Sequence, residues 1–128
     1  MRLLAVLCLL LPAACGPSAP AAGSGTPEAA VRRFVEAGRA GDQHAACSCL
    51  VADERRRGPR IDYRDLGPYE VGAARHLDDR RAVVPLRCGE LRTPMVAVRE
   101  LDGWRVSLLQ SLQQMQAPAD PPLASAPR

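Results

Sequence analysis

The residues of this 128-residue chain best suited to chemistry are five cysteines, two histidines and fourteen carboxylates, and their spacing excludes most reactions. His44 and His76 have no cysteine or acid at metal-ligand spacing within one helix or strand, so no metal is expected. No serine stands in the Gly-x-Ser-x-Gly turn that presents a hydrolase nucleophile, and no cofactor is expected. Glu70 and Glu100 fall in segments that read as strands, facing Arg87 and Arg105. An arginine at that position lowers a carboxyl pKa and removes it as a general acid, and the plain reading is a pair of surface charges. No catalytic residue is expected from these patterns.

The N-terminus carries a different kind of chemistry. Met1 and Arg2 precede nine apolar residues, Leu3 to Leu11, and then come Pro12, Ala13, Ala14 and Cys15. Such a run is less than half of the about 20 residues that span a bilayer as a helix. A cation, a short apolar stretch and small residues before a cut read as a secretory signal. The alternative, the first helix of a cytosolic domain, lacks polar residues at helical spacing.

Two small residues before a cysteine resemble the lipobox of bacterial lipoproteins, although Pro12 stands where that pattern prefers an aliphatic residue. The resemblance implies removal of residues 1–14 and acylation of Cys15, hence attachment to a membrane through an N-terminal lipid. More than one acyl chain is what makes such attachment stable. Gly16 is not the aspartate that resembles an inner-membrane retention signal, which implies the periplasmic side of the outer membrane in a Gram-negative cell. The alternative is cleavage after Ala19-Pro20-Ala21 and a soluble secreted protein.

An oxidising compartment changes how the remaining cysteines are read. Without Cys8 and Cys15 there remain Cys47, Cys49 and Cys88, an odd number. Cys47 and Cys49, two apart on a helix, point roughly 160 degrees away from each other. A bridge from one of them to Cys88 is therefore expected, clamping helix to sheet and stabilising by about 2–4 kcal/mol. The spare thiol is then available to cross-link two copies; three free buried thiols is the alternative.

All seventeen basic residues are arginine, with no lysine or asparagine, a bias of the kind that G+C-rich codon usage produces. Removal of residues 1–14 leaves sixteen arginines against fourteen acids, too slight an excess to steer a charged partner, and no nucleic-acid partner is expected. Residues 15–25 read as a lipidated cysteine and flexible tether, small and broken by prolines, and residues 117–128 as a disordered Pro-rich tail. One domain of 26–116 lies between them.

Within it, Thr26, Pro27 and Glu28 open a helix, and Val31, Phe34, Val35 and Gly38 form its apolar stripe. Gly41 ends that helix and Asp42 caps a second, expected to run to Gly58-Pro59 with Arg55, Arg56 and Arg57 at its dipole-negative end. Beyond residue 68 the period becomes alternating. Asp78-Asp79 turns one hairpin, placing Tyr69 opposite Cys88, Val71 opposite Leu86, Glu70 opposite Arg87 and His76 opposite Arg81. Pro85 requires a free side or a bulge beside it. Asp102-Gly103 turns a second hairpin pairing residues 95–101 with 104–110. The expected fold is α+β: an N-terminal helical hairpin packed on a curved four-stranded antiparallel sheet.

"TPEAAVRRFVEAGRAGDQHAACSCLV" and "LDGWRVSLL" resemble the opening and closing of the nuclear transport factor two-like superfamily, in particular its small bacterial lipoproteins. The resemblance covers most of 26–112 and implies a cystatin-like cone, often a homodimer through the sheet's outer surface. It also implies that polar residues at the cone mouth, here Asp62 and Tyr63, line any ligand site. Two functions follow as expectations: a non-catalytic envelope module binding a protein or small apolar molecule, or an isomerase or cyclase using a cone carboxylate or Tyr63.

Overall fold

A computed structural model describes residues 22–117. The expected signal peptide, Cys15 and the tail beyond 117 lie outside the described residues. Helix α1 (Pro27–Arg39) begins as its sequence requires: the Ala29 amide donates to Thr26 Oγ1 at 3.1 Å, and proline occupies the first turn. Its stripe of Val31, Phe34, Val35 and Gly38, widened by Ala30 and Ala37, is buried. Asp42 caps α2 (Gln43–Ser48) through the Ala45 amide at 3.0 Å.

The second helix is shorter than expected. Instead of one helix to Gly58 there are two, α2 and α3 (Ala52–Arg57), separated by a non-helical step at Cys49–Val51 that becomes extended at Val51. The cause is tertiary. The strand that borders this step has a bare edge, and a bare edge needs partners for its amides and carbonyls. Val106 donates to Cys49 O at 2.8 Å and accepts from the Val51 amide at 2.9 Å, while Leu50 is fully buried. Helix propensity gives way to that pairing. Gly58, in the left-handed region at φ 56°, ends α3 behind its three arginines.

The sheet contains β1 (Tyr69–Val71), β2 (Arg75–His76), β3 (Arg81–Cys88), β4 (Leu91–Glu100) and β5 (Gly103–Ser107), all antiparallel. It is four strands wide, because β1 and β2 share one edge of β3, and it curls into a half-barrel around the helices. The fold is α+β. Its core is made by α1, the Cys49–Leu50 step and Ile61 against Ala82, Val84, Leu86, Met95, Ala97, Trp104 and Val106.

Register follows expectation in β1, where Tyr69 faces Cys88, Glu70 faces Arg87 and Val71 faces Leu86. It then shifts by one: His76 faces Ala82, not Arg81. The extra residue lies in 72–74, beside Pro85, so the proline is met by a bulge. Pro85 itself faces Pro94 across the β3–β4 ladder. Two residues without N–H groups can face one another only where neither is asked to donate to the other. Each nitrogen then points outward, Pro85 toward the bulge and Pro94 toward the place where β5 has ended.

The last hairpin is slipped by two residues. Glu100 pairs with Gly103, so Leu101 and Asp102 form the turn, and an even slip leaves the same side chains on the same faces. β5 also ends early. Residues expected to continue it form α4 (Leu108–Gln116), capped by Ser107, whose Oγ accepts from the Gln110 amide at 3.1 Å. Ser111 Oγ closes the gap in the ladder by accepting from the Val96 amide at 2.8 Å and donating to Ser107 O at 2.6 Å.

Glu54 of α3 completes this helix start. Its carboxylate accepts from Ser107 Oγ at 2.7 Å and from the Leu108 and Leu109 amides at 2.6 and 3.3 Å. Glu54→Ala is expected to cost about 1–2 kcal/mol, since a cap is lost and partly buried donors are left unmatched. Urea unfolding with far-ultraviolet circular dichroism tests this; an unchanged midpoint would remove Glu54 from the α4 cap.

Candidate functional site

The interior of the half-barrel is packed with apolar side chains, and Phe34, Leu50, Val31, Val35, Val84 and Val106 are fully buried. The expected charge pairs lie outside that interior. Arg105 alternates with Trp104 and Val106 and so faces the opposite side of the sheet. Only 2% of its side chain is exposed; Nε lies 3.1 Å from Glu100 Oε1 and Nη2 donates to Asp102 Oδ2 at 2.6 Å. Nη1 donates to Ser48 O, tying the end of α2 to β5. The Glu100–Arg105 pair was legible as a pair, although the slipped register makes it diagonal; its burial was not.

Asp62 and Tyr63 lie in the loop after α3 and do different things. Asp62 is exposed beside a hollow of about 450 Å³ that Gln43, Arg60 and Arg64 also line. Its two oxygens accept from Arg64 Nε and Nη2 at 3.0 and 2.8 Å, and this pairing with the Arg64 guanidinium lowers its pKa to about 2. A carboxylate so held does not exchange protons near neutrality. Tyr63 turns inward, with its ring edge-on to Phe34 at 5.7 Å and an interplanar angle of 81°. Burial raises the pKa of its hydroxyl, with the Cys88 thiolate form adding to the effect. Gly38 makes the position: a Cβ there would lie 2.4 Å from Tyr63 Cδ2.

Cys47, Cys49 and Cys88 are free thiols, so the expected clamp from helix to sheet is not formed in the structure. Cys47 and Cys49 do point to separate surroundings. Cys47 Sγ accepts from Gln43 Nε2 at 3.1 Å and lies 3.4 Å from Pro59 O, whereas Cys49 Sγ donates back to Ala45 O at 3.3 Å. Burial raises the Cys49 pKa and keeps it an unreactive thiol. Gln43, not a disulfide, holds the loop, accepting from the Ile61 amide at 3.0 Å and donating to Pro59 O.

A larger concavity of about 570 Å³ opens at the β1 edge, lined by Arg32, Tyr69, Glu70, Val71, Gly72, Pro85, Arg87 and Arg92. Tyr69 is fixed from behind: its hydroxyl donates to Glu36, and the Arg39 guanidinium lies 5.3 Å from its ring centre. Gly72 permits close passage over β3, since a Cβ there would sit 2.6 Å from Pro85 Cγ. The cations come from three elements. Arg32 projects from α1, while Arg87 and Arg92 face each other across the β3–β4 ladder. Among the described residues Glu70 supplies the only lining carboxylate, its Oε2 3.9 Å from Arg87 Nε in an exposed pair.

Of these residues the hairpin pattern alone places Tyr69, Glu70, Val71, Pro85 and Arg87, with Glu70 facing Arg87. A signal for Arg92 was present: Cys88 and Leu91 flank Gly89-Glu90, so a two-residue turn there sets Arg87 opposite Arg92. Gly89 takes the φ of 61° that the turn demands. Arg32 is exposed on α1, between the buried Val31 and Phe34, and helical spacing alone gives no hint of β1 beside it.

Among the described residues, no three His, Cys, Asp or Glu side chains cluster as metal ligands, and no helix is long and apolar enough to cross a membrane. No protein-family model, curated protein or solved structure matches the chain. The site must therefore be read from its own geometry.

Proposed function

We propose that the chain is an envelope lipoprotein whose folded part is a non-catalytic binding module, related in fold to the nuclear transport factor two-like cone. The observation that carries the non-catalytic reading is the packed interior: acid–base chemistry inside a cone needs space for substrate beside a titratable group. Here apolar side chains fill that space, the Tyr63 ring packs against Phe34, and Asp62 is bound outside to Arg64. Partner or ligand recognition then belongs to the surface, where the β1-edge concavity combines apolar walls with cations. The tethering half of the proposal rests on Cys15 and the residues before it.

Metabolic labelling with a tagged fatty acid tests the tether. Label is expected in the wild type and absent in Cys15→Ser, with the wild type sedimenting with membranes and the variant released. Unlabelled mature protein beginning downstream of Cys15 would overturn that half of the proposal. The module itself is tested by soaking crystals in mixed small-molecule fragments. Occupancy at the surface with an unaltered apolar interior is expected, whereas a fragment seated among Phe34, Val84 and Trp104 would overturn the filled-cone reading.

A further inference from the structure

We propose that the concavity at the β1 edge is a binding site for a phosphate-bearing ligand, with Arg87 and Arg92 gripping the oxyanion and Arg32 closing on it from α1. The inference deepens the binding-module reading and rests on it. Its first support is the register. Arg87 and Arg92 are directly opposed on adjacent strands, and like charges so placed destabilise a sheet. An anion held between two guanidinium groups turns that repulsion into charge-assisted, multidentate hydrogen bonding.

The second support is the local charge balance. Three arginines line the concavity against one carboxylate. Glu70 is already engaged by Arg87, and neither Arg32 nor Arg92 has an acid at ion-pair distance among the described residues. The excess of two positive charges matches a phosphate monoester, which carries about −1.5 to −2 at neutral pH, better than the single charge of a carboxylate. The third support is the remaining wall. Val71, Gly72 and Pro85 offer an apolar surface next to the cations, suited to the carbon portion of an ester rather than to a bare ion.

Phenyl phosphate is a direct probe, titrated calorimetrically into the purified full chain at low ionic strength. Saturable binding is expected in the wild type, weakened at least tenfold by Arg92→Gln or Arg87→Gln, since each removes charge-assisted hydrogen bonds. Arg56→Gln, on α3 away from the concavity, should bind as the wild type does. Benzoate should bind more weakly than phenyl phosphate, and added sodium chloride should weaken both. A second measurement separates binding from folding: Arg92→Gln should melt no lower than the wild type without ligand, because it relieves the opposed charges. The wild type alone should gain melting temperature with phenyl phosphate.

Flotation with phosphatidylcholine vesicles, with and without phosphatidic acid, distinguishes the source. Arg92-dependent capture by phosphatidic acid assigns a headgroup phosphate, and its absence alongside phenyl phosphate binding assigns a soluble ester; either result supports the site. Absence of any phenyl phosphate binding by the wild type, equal binding by the Arg92 and Arg87 variants, or benzoate binding as tightly would overturn it. The acyl-labelling and fragment experiments do not depend on these results, so failure here leaves the tethered-module reading to stand or fall separately.

Discussion

Arg105→Met is expected to lower the stability of the domain by about 3 kcal/mol, at the low end of the 3–5 kcal/mol typical when one member of a buried ion pair is removed. The low end applies because the abandoned carboxylates are not sealed. Side-chain exposure is 28% for Glu100 and 48% for Asp102, so water can replace part of what the guanidinium gave. What water cannot easily replace is the Arg105 bond to Ser48 O, which couples α2 to β5. Chemical denaturation followed by Trp104 fluorescence measures the loss. A change below 1 kcal/mol would show that the guanidinium is not a structural centre.

The same variant has a pH signature. The Arg105 guanidinium, first through its hydrogen bond, lowers the Asp102 pKa from its ordinary 3.8. A carboxyl with a depressed folded-state pKa contributes stability above its unfolded pKa and loses it as pH falls through the folded value. The wild type should therefore weaken as the pH is taken below about 3.8, and Arg105→Met should lose the Asp102 share of that slope. Asp78, held by the Arg80 amide and then by the Arg81 side chain, and Asp62, held by Arg64, keep their own shares in both proteins.

The largest single loss is expected from Phe34→Ala, at about 4 kcal/mol, within the 3–5 kcal/mol range for truncating a buried phenylalanine. Phe34 is fully buried in α1 and is the edge-to-face partner of Tyr63. Removing the ring opens a cavity that packed neighbours cannot close: α1 is packed on the sheet, and Tyr63 is held over Gly38 by its backbone N–H, which donates to Gly38 O at 3.1 Å. Phe34→Leu should lose less, since most of the volume stays. Denaturation midpoints for both variants, with near-ultraviolet dichroism reporting Tyr63, check the ordering; equal losses would place the effect elsewhere than in the cavity.

Both residues illustrate what was legible beforehand. Phe34 was readable as core because its stripe repeats at helical spacing and nothing tertiary competes with the cap at Thr26. The β1–β3 register was readable for the same kind of reason: an alternating pattern admits one parity. Failures occur where a distant strand imposes a demand. The single second helix broke because β5 needed Cys49 and Val51 on its edge. The long final strand became α4 because Glu54 and Ser107 together gather its first amides. Burial of Arg105 was hidden because Ser48, which covers it, is 57 residues away in sequence.

The candidate site was half legible. Glu70 and Arg87 pair through the first hairpin and the Gly89-Glu90 turn sets Arg92 opposite Arg87, whereas Arg32 joins them only after helix and sheet are assembled. Of Asp62 and Tyr63, which the family resemblance singled out, the first pairs with Arg64 and the second packs its ring edge-on against Phe34. The cysteines were read through their expected compartment, whereas the fold gives the loop a different fastener in Gln43.

One further consequence comes from the chain's entry into the fold. Ser24 exchanges backbone bonds of 3.0 and 2.7 Å with Trp104, and Gly23 lies so near Gly103 that neither has room for a Cβ. Upstream sequence thus departs at the Arg99–Trp104 end of the sheet, while Arg92 stands seven residues away along β4, about 23 Å at the rise of an extended strand. The pairing of Ser24 with Trp104 and the proposed site at Arg92 therefore lie at opposite ends of β4. In the tethered module proposed above, this spacing would keep a ligand bound by Arg92 at standoff from the surface to which Cys15 is fastened.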